Sequence, residues 1–214
     1  MAIKLITPPA ILPVSIDDAK IHERIDIEDA ANDASILALL TASTQLAENY
    51  TRRAFITQTW LYQTANLSPI ISIPRPPFIG IDVDGVTGIN IVYTTNNYNI
   101  PTPVLPNDLG VYPYFTDNTY EPARFTWSGF QLPNQVGGGW GPWCGSNYGC
   151  GYGGNGYTLS MQYTAGYGPL AIDVPWEIKE GILQIFGSLY ENRESQLIPG
   201  GAIQLLSPYK VEYL

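Results

Sequence analysis

Histidine is nearly absent from this chain: His22 is the one copy in 214 residues. A Ser-His-Asp or Cys-His catalytic arrangement therefore has a single candidate, and His22 falls among charged residues on a short helical pattern, where an ordinary surface histidine belongs. Cysteine is scarce too. Cys144 and Cys150 stand six apart in a glycine-rich stretch, too few to make the four-ligand set of a structural zinc site even with His22 added. The spacing leaves a disulfide across a short loop and two free thiols both open. Basic residues number 10 against 19 acidic ones, for a net charge of −9, which argues against a nucleic-acid surface of the usual basic kind. It does not exclude a channel wall that lets DNA slide past, because such a wall must not grip phosphate. No apolar run approaches the ~20 residues of a membrane span, and the opening Met1 to Pro13, with one lysine and early prolines, does not read as a secretory leader.

What is present is a chain with 45% apolar residues, enough to bury a core as one domain or as a domain with a large insertion. Residues 1 to 14 read as an extended arm, since Thr7-Pro8-Pro9 and Leu12-Pro13 forbid helix. Ser15 is a helix N-cap, with Asp17 and Asp18 in the first turn, opening a short helix to about Ile25 that turns Ile21 and Ile25 to the core. A long helix follows from about Asp29 to Arg52. Ile36, Leu40, Ser43, Ala47 and Tyr50 recur at steps of three and four, flanked by Leu39 and Leu46. The acids along this section (Asp17, Asp18, Glu23, Asp26, Glu28, Asp29, Asp33) are explained by capping and solvation rather than by metal binding.

After Arg52-Arg53 the pattern becomes that of a strand, Ala54 to Tyr62. Further strands are expected at Ile70 to Ile73, Gly88 to Thr94 and Tyr157 to Tyr163, with a rigid bend at Arg75-Pro76-Pro77. Between Val86 and Ile172 the charged residues are Asp108, Asp117, Glu121 and Arg124 alone, a shift in composition that marks residues 55–172 as an inserted β module. Within it, Gly137 to Gly156 holds ten glycines with Trp140, Trp143, Tyr148 and Tyr152. Such glycine content precludes a core element and makes a long loop. Its aromatics either anchor a partner or fold back on their own sheet, and a sugar-binding platform would use the same residue types. The glycines lack the lysine of a phosphate-binding loop. Asp82 with Asp84, or Asp117 with Glu121, could be paired as a hydrolytic couple, but nothing in their spacing singles them out, and Asp84-Gly85 reads better as a turn.

A last helix begins near Pro175, with the stripe Ile178, Ile182, Ile185 and Leu189 widened by Phe186 and Tyr190; it should pack on the 29–52 helix, and Gly181 and Gly187 should admit a close neighbour. The fold class is thus α+β: residues 1–54 and 173–196 form a small helical bundle around the inserted module. The tail 197–214, apolar at Ile203, Leu205, Leu206, Tyr209, Val211, Tyr213 and Leu214, should dock on its own domain or on another subunit.

Three stretches together resemble a known family: Leu12-Pro13-Val14-Ser15 with Ala19-Lys20; Tyr50 through Trp60 around Arg52-Arg53; and Val174-Pro175-Trp176-Glu177-Ile178-Lys179 through Tyr190-Glu191-Asn192-Arg193-Glu194. In order and separation they are similar to the head-tail connector (adaptor) proteins of tailed bacteriophages, as are Arg75-Pro76-Pro77 and Tyr163 to Gly168. The resemblance spans roughly residues 12–100 and 157–195, and the family commonly has alanine where Gly181 stands. It implies a structural virion protein with no enzymatic activity and no cofactor or metal. Copies would form a ring, usually of twelve, beneath the portal in the virion neck, assembled in the host cytoplasm. The ring would extend the channel through which double-stranded DNA passes without sequence-specific binding, and would present a platform to the tail or stopper protein. The C-terminal segment would engage the portal protein or a neighbouring copy, and no membrane is involved. The rival reading is a carbohydrate- or receptor-binding module using the aromatic glycine-rich loop.

Overall fold

The computed structural model describes residues 2–65, 68, 70–83, 92–95, 101–105, 114–127, 158–192 and 198–212. Over these the fold is mixed α+β, with four α-helices and antiparallel strand pairs. The chain divides into two compact units, one of residues 1–7, 59–74 and 78–164, the other of residues 8–58, 75–77 and 165–214.

The first unit carries the strands. β1 (Ala2–Thr7) pairs antiparallel with β2 (Gln58–Thr64), and β9 (Thr158–Ala165) pairs antiparallel with β5 (Val92–Thr95), which pairs with β6 (Pro101–Pro103). The larger sheet runs β1-β2-β9-β5-β6, with β4 (Phe78–Ile81) also on β9, and β3 (Ile70–Ser72), β8 (Arg124–Trp127) and β7 (Tyr114–Asp117) form a second sheet in that order. β9 is central because Leu159, Met161, Tyr163 and Ala165 alternate into the core. The Tyr163 hydroxyl donates to the Pro74 carbonyl at 2.7 Å, so a buried aromatic leaves no polar atom unsatisfied. In the smaller sheet the rings of Tyr114 and Phe125 stack at 4.7 Å. The expected N-terminal arm is a strand: the Ile3-Lys4-Leu5-Ile6 run finds a partner in β2 before the prolines end it.

The second unit carries the helices. Ser15 caps α1 (Ile16–His22) in a full capping box, the Asp18 amide donating to Ser15 Oγ at 3.0 Å while the Asp18 carboxylate reaches back to the Ser15 amide. α2 (Asp33–Thr51) begins four residues later than its periodicity suggests, because the carbonyls of Ile27 and Asp29 are taken by Lys20 Nζ at 3.1 and 2.9 Å and Asp29 caps the Ala31 amide. Ile36, Leu40 and Ala47 meet Ile178, Ile182, Ile185 and Phe186 of α3 (Trp176–Glu191) in one core that also takes in Val14, Ala19 and Phe55. Each fully buried aliphatic side chain there is worth about 1.5–3 kcal/mol. Ile25 joins the edge of that core, but Ile21 does not: it is 60% exposed, since the buried face of a two-turn helix is already filled by Ala19 and Lys20.

Candidate assembly surfaces

The C-terminal tail is docked. Residues 200–206 form α4 (Gly200–Leu206), whose Ala202 and Leu206 are fully buried in the helical core. The seat is made by Gly181 of α3, where a Cβ would lie 2.9 Å from Leu206 Cγ; the close neighbour that Gly181 admits is therefore α4. Beyond α4 the Val211 amide donates to the Thr51 carbonyl at 3.0 Å, and Val211 is buried. The Tyr209 hydroxyl donates to Glu177 at 3.1 Å. Of the seven tail residues expected to meet a partner, Leu206 and Val211 are thus spent on the chain's own core, and Tyr209 is half-buried against it. Ile203 stays exposed, Leu205 is half-buried, and Tyr213 and Leu214 lie outside the described residues. So do Trp140, Trp143, Tyr148 and Tyr152, together with Cys144, Cys150 and Asp84.

The junction after α2 explains Arg52-Arg53. Arg52 closes the helix in the left-handed conformation, φ 58°, and Arg53, 8% exposed, turns inward to donate from Nε to the Tyr209 carbonyl. Arg75 donates to the Glu48 carbonyl and to Asn49 Oδ1, both at 2.8 Å, so cations and the tail together satisfy carbonyls that the end of a helix leaves open. Glu48 itself accepts from the Phe55 amide at 2.9 Å and the Gln58 side chain at 2.8 Å, locking the turn.

Burial pushes the Glu48 carboxyl above its ordinary value of 4.5, against the opposing pull of the Phe55 amide, Gln58 and Arg75. Because the folded form then holds its proton more tightly than the unfolded one, the stability tied to Glu48 is fullest below pH 4.5 and is lost as pH rises through the raised folded value. Glu48→Gln stays neutral and keeps an acceptor. Its melting temperature relative to wild type should therefore climb as pH rises from about 4 toward 7; a difference independent of pH would contradict this role.

A groove of about 490 Å³ opens on the helical unit. It is walled by Ile11 to Ile16 and Asp18, by Leu37 of α2, and by Ala171, Trp176, Lys179 and Leu183 at the start of α3. Trp176 is 68% exposed, and Ile172, beside Ala171, is 81% exposed. No single stretch announces this groove, because three distant segments build it. The exposed tryptophan at the first position of α3 is its one local mark. A second apolar exposure is β1, at the edge of the larger sheet, where all six residues are exposed, among them Ile3, Leu5 and Ile6.

Of the residues considered for catalysis, Asp82, Asp117 and His22 have partners within the fold. Asp82 accepts from Gln162 at 3.1 Å and from the Thr164 hydroxyl, tying β9 to the segment after β4. Asp117 accepts from the amide and hydroxyl of Thr119, which hold its carboxyl below the usual range, and Arg124 lies 3.7 Å over the Tyr120 ring. His22 Nε2 is 3.9 Å from Glu23 at a half-exposed end of α1. Among the described residues no three His, Cys, Asp or Glu side chains converge on a metal site, and no helix is long and apolar enough to cross a membrane.

Neither a family model nor a curated protein matches the sequence. Solved structures do match the fold. A chain in the neck of an empty GTA particle computed with C6 symmetry superposes with a TM-score of 0.73 at 16% identity, over 100% of this chain and 97% of that one. A chain in the virion of a native gene transfer agent (GTA) particle gives 0.72 at 16%, and one in the neck of a native GTA particle computed with C12 symmetry gives 0.66 at 15%, with the same coverage. At such identity the likeness is one of fold.

Proposed function

We propose that this chain is a structural protein of a virion neck, a head-tail connector that forms a ring of about twelve copies beneath the portal.

The ring extends the DNA channel and offers the tail or stopper its platform. The observation that carries this reading is the full-length likeness of fold to chains of GTA particle necks, 100% of this chain against 97% of the other at a TM-score of 0.73. The C12 symmetry of one such neck supports twelve copies, and a closed ring of identical chains requires that each bury two different surfaces, one against each neighbour. A net charge of −9 suits a wall past which DNA slides. The partners on this reading are the portal protein, the tail or stopper protein and further copies of the chain, all in the neck of a particle assembled in the host cytoplasm. On this reading the chain does no chemistry, and Asp82 and Asp117, two of the carboxylates that could serve an active site, are hydrogen-bonded to neighbouring side chains of the fold. The small helical bundle is the ring-forming body and the strand-rich unit is its insertion. Electron microscopy of the purified chain tests the reading. Ring particles that bind portal are expected; a stable monomer that binds glycans and forms no rings would replace it with a carbohydrate-binding module.

A further inference from the structure

The groove at the start of α3 is built for apolar side chains. Ser15 and Asp18, two of its few polar residues, are consumed by their mutual capping bonds, the Ser15 hydroxyl donating to Asp18 at 2.7 Å. That leaves Lys179 at the wall and little to orient a polar small molecule. Trp176, Leu37 and Ile11 of its wall and Ile172 beside it are exposed, a grouping of large apolar side chains of the kind that marks an interaction surface.

Another apolar exposure lies within the helical unit itself, at the other end of the same helices. The first turn of α1 lines the groove beside Trp176, whereas Glu23, just past its last turn, sits against Gly187. Gly187 is roughly 16 Å along α3 from Trp176 at 1.5 Å per residue. At that far end the corner between α1 and α2 exposes Ile21 and Ile27, at 60% and 50%. A ring of identical chains needs two different surfaces on each copy, one to give and one to receive. These two ends supply them.

We propose that the groove walled by Trp176, Leu37 and Ile11 receives the Ile21–Ile27 corner of a second copy, making the side-to-side contact of the ring. This rests on the neck reading for its partner. Trp176→Glu and Ile27→Asp test it by analytical ultracentrifugation of the full chain, with thermal unfolding to show that each variant still folds. Both positions are exposed, and a glutamate in the first turn of α3 favours the helix dipole. Wild type should associate into rings as concentration rises. Each variant should associate about 30-fold more weakly, as expected when an aromatic anchor is lost or a charge meets an apolar seat. An equimolar mixture should stop at a heterodimer, because the intact corner of the Trp176→Glu chain meets the intact groove of the Ile27→Asp chain. Rings formed by Trp176→Glu as readily as by wild type, a mixture that gives no heterodimer, or a wild-type chain that never associates would each overturn the assignment. Where the chain sits in particles is a separate measurement, so loss of this contact and loss of the neck reading are told apart.

Discussion

Gly166→Ala should lower stability by about 4 kcal/mol, among the largest losses expected of a single methyl group. Gly166 has φ +141°, and a Cβ there would lie 2.7 Å from the carbonyl carbon and oxygen of Ile56 and from the Thr57 nitrogen. These are backbone atoms, and they have no rotamer through which to retreat. The two segments around them are tied on both sides. Tyr167 donates to Phe55 and Thr57 to Gly168, each at 3.0 Å, and the Gly166 amide donates to Pro77 at 2.9 Å. Relief of the clash would break that ladder beside Phe55 and Ile56, both of them core residues. Gly80→Ala is the control, since a Cβ there meets nothing within 4 Å; its effect should stay within about 0.5 kcal/mol. Denaturant unfolding of the two variants measures the contrast, and equal losses would contradict the close approach at Gly166.

Lys20→Met should cost about 3 kcal/mol. Lys20 is 1% exposed, and its ammonium donates to the Ile27 and Asp29 carbonyls while lying 2.5 Å from the Asp33 carboxylate. Methionine fills the same space but leaves two carbonyls without their donor, and with them the path of the chain from α1 into α2. Asp33→Asn is the comparison. The Asp33 Oδ1 that meets Lys20 is buried although the side chain as a whole is 39% exposed; asparagine keeps an oxygen for the ammonium and both carbonyl bonds stay, so the loss should be the smaller of the two, on the order of 1–2 kcal/mol. Thermal unfolding should place Lys20→Met about 6–12 °C below wild type for a chain of this size; a shift no larger than that of Asp33→Asn would show the lysine to be a bystander.

Lys20 also shows where reading a sequence stops. The Ser15 cap, the stripes of α2 and α3 and the alternation of β9 are local signals, carried by neighbours within one or two turns, and each appears close to its expected place. The start of α2 depends instead on a lysine nine residues before Asp29, which no propensity registers. β1 was legible as extended chain, but its pairing with β2 spans more than fifty residues of sequence. α4 opens with Gly200-Gly201, a poor beginning for a helix, and forms because Leu206 has a seat at Gly181. That same seat withdraws Leu206 from the tail surface that an apolar sequence seemed to offer. The groove was the least legible feature, since Ile11, Leu37 and Trp176 come together only in the folded unit.

The neck reading gives these parts a common purpose: a rigid helical core, a tail locked to the end of α2 by Arg53 and Val211, and two apolar ends left uncovered. The most direct test is an electron cryo-microscopy reconstruction of the neck of particles that carry this chain. The account predicts twelve copies in a ring beneath the portal, with Trp176 of each buried against the α1–α2 corner of the next. A neck fully accounted for by other proteins, with this chain absent or located at the tail tip, would contradict it.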